Sequence, residues 1–214
     1  MKQTLRLMSA FVMLSLLFIM SSCAHKEVAG PTDEERQVAR TQYPCLTVLP
    51  VNTTVNSVPD MSYQEAARLE EGARYLDSVI TQLLNGKKNV RVLSDRQLTA
   101  VIAEDSASAL AMIRKIGAEL NCDAVMITTL KTYQQRVGGS YGAEVPASAF
   151  FSLKVFDVKD GRIIWSAMFK ETQQSLLSNL ASFNKAQNRG FKWITVEELA
   201  KQGMAEKLEQ CPYF

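Results

Sequence analysis

Two strand-like segments with a tight turn between them constrain the fold of this chain more than any other feature. Residues 147–158 and 162–172 are rich in β-branched and aromatic side chains, and Lys159-Asp160-Gly161 separates them. Because aspartate followed by glycine accepts the positive φ angles of a tight turn, these segments are predicted to pair as an antiparallel hairpin. Apolar side chains are expected to meet across it, with Trp165 in the core: Phe151, Leu153, Val155, Ile163 and Trp165.

Alternating strand and helix patterns fill the rest of the chain. Three pairs of residues have the spacing of helix-capping boxes, namely Ser62 with Glu65, Ser94 with Gln97, and Thr195 with Glu198. Strands are predicted at 45–51, 89–93 and 124–137, and helices from 63 to the stop at Gly86, after Ser94, at 107–120, at 174–187 and after Thr195.

The order of these elements predicts the fold class. Read as β, α, β, α, α, β, β, β, α, it indicates an α/β (α+β) domain with a mixed sheet of about five strands and helices packed on it. Strands separated by helices are expected to be parallel, and the later ones to form a meander. Residues 43–214 are long enough to fold as a single domain.

Four stretches of the chain share the sequence pattern of one bacterial family: 46–51, 92–98 with 102–104, 116–125 and 156–165. Through them the domain resembles the envelope domain shared by the TolB amino-terminal domain, the curli secretion lipoprotein CsgG and the penicillin-binding-protein activator LpoB. The resemblance implies the fold and a place in the cell envelope, and none of the matching residues is catalytic.

The amino terminus has the pattern of a secretory leader. Lys2 and Arg6 precede an apolar run over 7–20, and Ser21 and Ser22 lead directly to Cys23. This ending resembles the lipobox of bacterial lipoproteins. The alternatives are an ordinary cleaved signal peptide with an incidental cysteine, or an uncleaved transmembrane helix.

The lipobox resemblance implies how the chain is processed and where it lies. Cleavage falls between Ser22 and Cys23, the Cys23 sulfur carries diacylglycerol, and its amino group is acylated, for example with palmitate. Residues 1–22 are then the signal peptide and 23–42 a flexible tether, because that stretch has a glycine, a proline and many charges. Ala24 stands where an inner-membrane retention aspartate would stand, which favours the periplasmic face of the outer membrane.

The charge balance excludes one class of partner. Removing residues 1–22 takes Lys2 and Arg6 from the 24 basic residues and none from the 22 acidic residues, which leaves 22 of each. Nucleic-acid binding needs a concentrated basic face, so a neutral domain argues against it.

The sequence offers little catalytic chemistry. The one histidine, His25, lies in the predicted tether, so no imidazole is available in the domain for general-base work or metal binding. The glycine-rich loop 138–142 lacks the lysine and the strand-to-helix context of a phosphate-binding loop. Cys122 beside Asp123 has no histidine to activate it. We therefore predict no catalytic residue, no metal, no cofactor and no small-molecule substrate.

Three cysteines remain beyond Cys23, in a compartment that permits disulfides. Cys45 begins the first predicted strand and Cys211 ends the last helix, so a possible Cys45–Cys211 bridge would join the two ends of the domain. Cys122 is expected to be a buried thiol. Three reduced cysteines are the alternative.

The leading hypothesis is a lipid-anchored, non-catalytic binding or adaptor subunit of a cell-envelope assembly. Its partners would be the membrane, through the lipid, and an envelope protein. The alternative is a protomer of a homo-oligomeric outer-membrane secretion complex of the CsgG kind, although polar residues such as Lys131 and Arg136 interrupt the strand that would face lipid. Met61–Gly72 and Ser140–Val145 are the predicted contact regions.

Overall fold

A mixed sheet organises the part of the chain that the computed structural model describes, residues 30–102, 108–139, 143–173 and 193–214. The strands of these residues are β1 (Leu46–Val48), β2 (Asn52–Thr53), β3 (Val90–Val92), β4 (Ala124–Gln134), β5 (Val137–Gly138), β6 (Ala143–Val145), β7 (Ser148–Asp157) and β8 (Ile163–Thr172). The helices are α1 (Asp33–Gln42), α2 (Tyr63–Leu83), α3 (Asp95–Ile102), α4 (Ala109–Leu120) and α5 (Val196–Glu209).

The topology confirms the predicted fold class. Across the sheet the order is β3-β1-β4-β7-β8, with the short β2 also paired to β4. Strands β3, β1 and β4 are parallel, whereas β4, β7 and β8 form an antiparallel meander. The hairpin is confirmed as well: Gly161 has a φ of 71°, and the Gly161 N–H donates to the Asp157 carbonyl at 2.8 Å.

One detail of the hairpin differs from the prediction. Trp165 pairs with Val155 and is partly buried, as expected, but a register shift follows and pairs Ile163 with Phe156. Because a slip of one residue moves a side chain to the other face of the sheet, Ile163 is 50% exposed instead of lying with Trp165.

The sheet carries helices on both faces. The larger core lies between one face and helices α2 and α5, where Leu76 and Leu199 are fully buried with Phe151. The smaller core lies on the other face, where α3 and α4 cover the parallel strands around Ile116 and Val125. All three capping pairs make the predicted hydrogen bonds, because each hydroxyl and its partner side chain satisfy otherwise unpaired helix N–H groups.

The predicted tether is wrong over residues 33–42, which form helix α1. Thr32 and Glu35 make a fourth capping box that starts this helix, and it has no buried residue, which explains why its composition resembles that of a linker. Arg36 donates to the Cys211 carbonyl at 2.9 Å and to the Phe214 carbonyl at 3.2 Å, and Arg40 also donates to Phe214. The compact unit therefore begins near Pro31.

Two other predictions concern the middle and end of the chain. The strand predicted over 124–137 ends at Gln134, and β5 pairs with β6 instead to make a separate two-stranded hairpin. The glycine-rich loop lies between these two short strands, with residues 140–142 outside the described residues. The predicted helix 174–187 also lies outside them.

A carboxyl group on α2 is expected to make stability depend on pH near neutrality. Burial raises the pKa of Asp77 to about 6 and the Asp95 carboxylate adds to this, although the Val51 N–H donates to Asp77 at 2.8 Å and lowers the pKa. A raised pKa means that the folded state binds the proton more tightly than the unfolded state does. The Asp77 contribution is therefore present at low pH and lost as pH rises through about 6.

We expect the ionisation of Asp77 to lower the free energy of unfolding by about 1 kcal/mol between pH 5 and pH 7.5. This value is smaller than the pKa shift alone would give, because Asp77 is partly exposed. Urea unfolding at both pH values would measure it. Asp77→Asn keeps an acceptor for Val51 and cannot ionise in this range, so its pH dependence should be flatter by that amount. Identical pH dependence in both proteins would contradict the prediction.

Candidate binding surface

The predicted lipidation and cleavage residues are not placed by the structure. Ser22, Cys23 and His25 lie outside the described residues. Among the residues that are described, no helix combines the length and the apolar character needed to cross a bilayer. The Cys23 modification stays a prediction.

The predicted disulfide pairing is wrong. Cys45 is bonded to Cys122, with 4.6 Å between their Cα atoms. The physical reason is the register of the parallel strands: β1 and β4 align Leu46 with Ala124, so Cys45, one residue before β1, lies close to Cys122, two residues before β4. The Asp123 N–H also donates to the Cys45 carbonyl at 3.0 Å.

Cys211 is the free cysteine of the described chain and is fully buried. Burial raises the pKa of its thiol to about 12, partly offset by a hydrogen bond from the Tyr213 backbone and by the charge of Arg36. A thiol with such a pKa is neutral at physiological pH, so Cys211 is a packing residue.

A polar cluster connects the turn of the β7–β8 hairpin to the ends of the domain. The Tyr43 hydroxyl donates to the Asp157 carboxylate at 2.9 Å, and the Tyr43 ring meets Tyr213 edge to face. Burial would raise the pKa of Asp157, but donors from Asp160 and Tyr43 outweigh it and lower that pKa. Every member of this cluster has a structural partner, so we interpret it as structural.

A different part of the sheet is open. Helices α3 and α4 cover their face only near the parallel strands, where Ile127 and Phe156 are partly buried against them. Farther along the same face, toward the carboxyl end of β4, the side chains are exposed or half-exposed. We call this area the basic face and define it by six residues that share one side of β4, β7 and β8: Lys131, Phe150, Ser152, Lys154, Met168 and Lys170.

Strand register brings these residues together. Phe150 pairs with Lys170 and Ser152 with Met168, so they are direct neighbours across the hairpin. On the other side of Phe150, a register shift in β4 between Leu130 and Thr132 leaves Lys131 as the extra residue. A bulge of this kind redirects a side chain, and here it places the Lys131 ammonium over the Phe150 ring.

Two cations, from the strands on either side of β7, lie close to the Phe150 ring. The Nζ atom of Lys131 is 4.9 Å from the ring centroid and that of Lys170 is 5.4 Å from it. Both distances are within the range of cation–π attraction, which holds the ammonium groups over the aromatic ring. Met168, which is 60% exposed, adds a flexible apolar side chain beside this group.

The basic face has one sign of charge. Lys131, Lys154 and Lys170 are exposed, and the residues that share this side of β4, β7 and β8 include no aspartate or glutamate. Glu197 of α5 accepts a hydrogen bond from Gln135, just after the end of β4, at 3.0 Å. The result is a local cationic surface on a chain with little net charge.

One predicted contact region lies on the opposite face of the sheet from the basic face. The Met61–Gly72 region forms the start of α2, where Tyr63 is 88% exposed and Gly72 packs directly on Tyr133 of β4. In the Ser140–Val145 region, residues 143–145 are strand β6 and the remainder lies outside the described residues. Sequence reasoning missed the basic face, because burial along β7 alternates only once the strand is placed in the sheet.

No group of three or more histidine, cysteine, aspartate or glutamate side chains is arranged to hold a metal ion within the described part of the chain.

Comparison with known proteins gives structural likenesses only. No protein-family model matches the chain, and no curated protein matches its sequence. A dodecamer of PelC from Paraburkholderia phytofirmans is similar over 78% of this chain and 85% of its own, with 14% identity and a TM-score of 0.45.

Two solved lipoprotein-related structures are also similar. Lipoprotein GNA1162 from Neisseria meningitidis matches 68% of this chain and 98% of its own at 17% identity and a TM-score of 0.38. The LpoB C-terminal domain from Salmonella enterica matches 65% and 96% at 14% identity and a TM-score of 0.37. These values are too low to transfer a partner or an activity to this chain.

Proposed function

We propose that this protein is a lipid-anchored, non-catalytic binding or adaptor subunit of a bacterial cell-envelope assembly, held at the periplasmic face of the outer membrane. The observation that carries the proposal is the Cys45–Cys122 disulfide, because such bonds persist in oxidising compartments and are rare in the cytosol. This agrees with the predicted leader over residues 1–22, which leads directly to Cys23.

The position of α1 limits the reach of the domain from its anchor. Nine residue steps separate Cys23 from Thr32, the N-cap of α1. A fully extended chain of that length spans about 30 Å. Acyl chains at Cys23 would therefore hold the domain close to the bilayer, where it could bind partners that lie near that membrane.

Replacement of the lipidated cysteine tests the anchoring. In Cys23→Ala we expect the leader to be retained and the acyl adduct to be lost, whereas globomycin, which blocks cleavage, should leave the leader on a chain that carries diacylglycerol but no N-acyl group. Intact-mass measurement and fractionation of native membranes would show this. Cys211→Ala is the control, since its buried thiol should not affect acylation. A native protein that starts elsewhere, or one without an acyl mass at Cys23, would overturn the proposal.

A further inference from the structure

The basic face is an exposed, charged surface that no other described element covers. The ammonium groups of Lys131 and Lys170 both lie within 5.4 Å of one ring centroid, so they are at most about 10 Å apart and repel each other. Neither forms an ion pair with a described carboxylate, and Lys154 adds a third charge on the same side. An anionic group placed between the ammonium groups would relieve this repulsion.

We propose that the basic face binds an acidic surface or segment of a protein partner, whose carboxylates pair with Lys131 and Lys170 beside Phe150. This rests on the proposed adaptor function and names the chemistry of its partner. The apolar centre formed by Phe150 and Met168, with charged residues around it, is also the usual arrangement of a protein-binding surface.

The strands that carry the basic face fix its position in the sheet. The chain enters the domain through α1, whose arginines contact the carboxyl terminus near the start of β1 and β4. Lys131 lies seven residues farther along β4 than Ala124, which corresponds to about 23 Å along an extended strand. Lys131 therefore lies toward the opposite end of β4 from the strand start, near which α1 packs.

A photo-crosslinker at Ser152 tests the proposal in the full-length protein in its own cells. Ser152 lies on the basic face and is not one of its charges, so the crosslinking chemistry is independent of the lysines. We expect an adduct to a segment of another protein that is rich in aspartate and glutamate. A crosslinker at Ser78, exposed on α2, is the positional control and should not capture that segment.

Charge variants then decide whether the lysines cause the binding. The double variant Lys131→Gln with Lys170→Gln should lower the adduct yield about tenfold, and high salt should lower the yield of the unmodified protein by a similar factor. The double variant Lys131→Arg with Lys170→Arg keeps both charges and should give the original yield. Lys87→Gln with Lys88→Gln removes the same number of exposed charges elsewhere and should leave the yield unchanged.

Several results would overturn the inference: no adduct at Ser152, adducts to lipid or to a second copy of the chain, a captured segment without acidic residues, or an unchanged yield in the glutamine variant. Failure here is distinct from failure of the proposed function. A chain that is acylated at Cys23 and captures its partner through another surface would refute the basic face and leave the adaptor role standing.

Discussion

Loss of the Cys45–Cys122 disulfide is expected to lower the free energy of unfolding by about 4 kcal/mol. The bond joins residues 77 positions apart, so it removes a large part of the conformational entropy of the unfolded chain. Guanidinium unfolding of the oxidised protein, with and without dithiothreitol, would measure the effect.

The double variant Cys45→Ala with Cys122→Ala is the matched control. It should be as unstable as the reduced protein and should not respond to dithiothreitol, because Cys211 is a free thiol. Non-reducing peptide mapping gives an independent check. Equal midpoints with and without reductant, or a mapped Cys45–Cys211 peptide, would contradict the pairing described here.

Truncation of Phe151 is expected to cost about 3–5 kcal/mol, whereas truncation of its neighbour Phe150 should cost about 1 kcal/mol or less. Phe151 is fully buried and stacks on Phe169 with ring centroids 5.1 Å apart. Phe150 points to the opposite face and is half-exposed. Phe151→Ala leaves a cavity that the packed core cannot close. Phe150→Ala removes a ring that is already partly exposed to solvent, so it leaves no enclosed cavity.

Chemical unfolding of Phe151→Ala and Phe150→Ala side by side would test this, since the two substitutions remove the same atoms from adjacent positions. Phe150→Ala should also lower the yield of the adduct formed by a crosslinker at Ser152. Phe151→Ala should lower that yield only if it unfolds the domain. Equal stability losses in the two variants would show that the assignment of the sheet faces is wrong.

Local patterns predicted much of the fold correctly. The Asp160-Gly161 turn gave the β7–β8 hairpin, because a positive φ at Gly161 is a local requirement. The capping pairs predicted where the helices start, because each hydroxyl and its partner are three residues apart and the pattern is therefore local. Helix α1 was missed because its polar residues make it resemble a linker, and its stabilising contacts are with the far end of the chain.

The candidate surface could not be predicted in the same way. Lys131, Phe150 and Lys170 are exposed or half-exposed residues in three different strands, and their separation along the chain gives no indication that they meet. Two features of pairing bring them together: the alignment of Phe150 with Lys170 and the bulge at Lys131. Both depend on the register of long-range contacts.

The sequence by itself determined the fold class, the hairpin, the helix starts and the expectation of a lipidated leader, because each depends on residues that are close along the chain. Tertiary structure decided which cysteine joins Cys45, where the compact domain begins and which lysines share a face. These three outcomes depend on the register of β1, β4, β7 and β8 and on the packing of α1 against the carboxyl terminus. Such pairings join distant residues, and no local spacing specifies them.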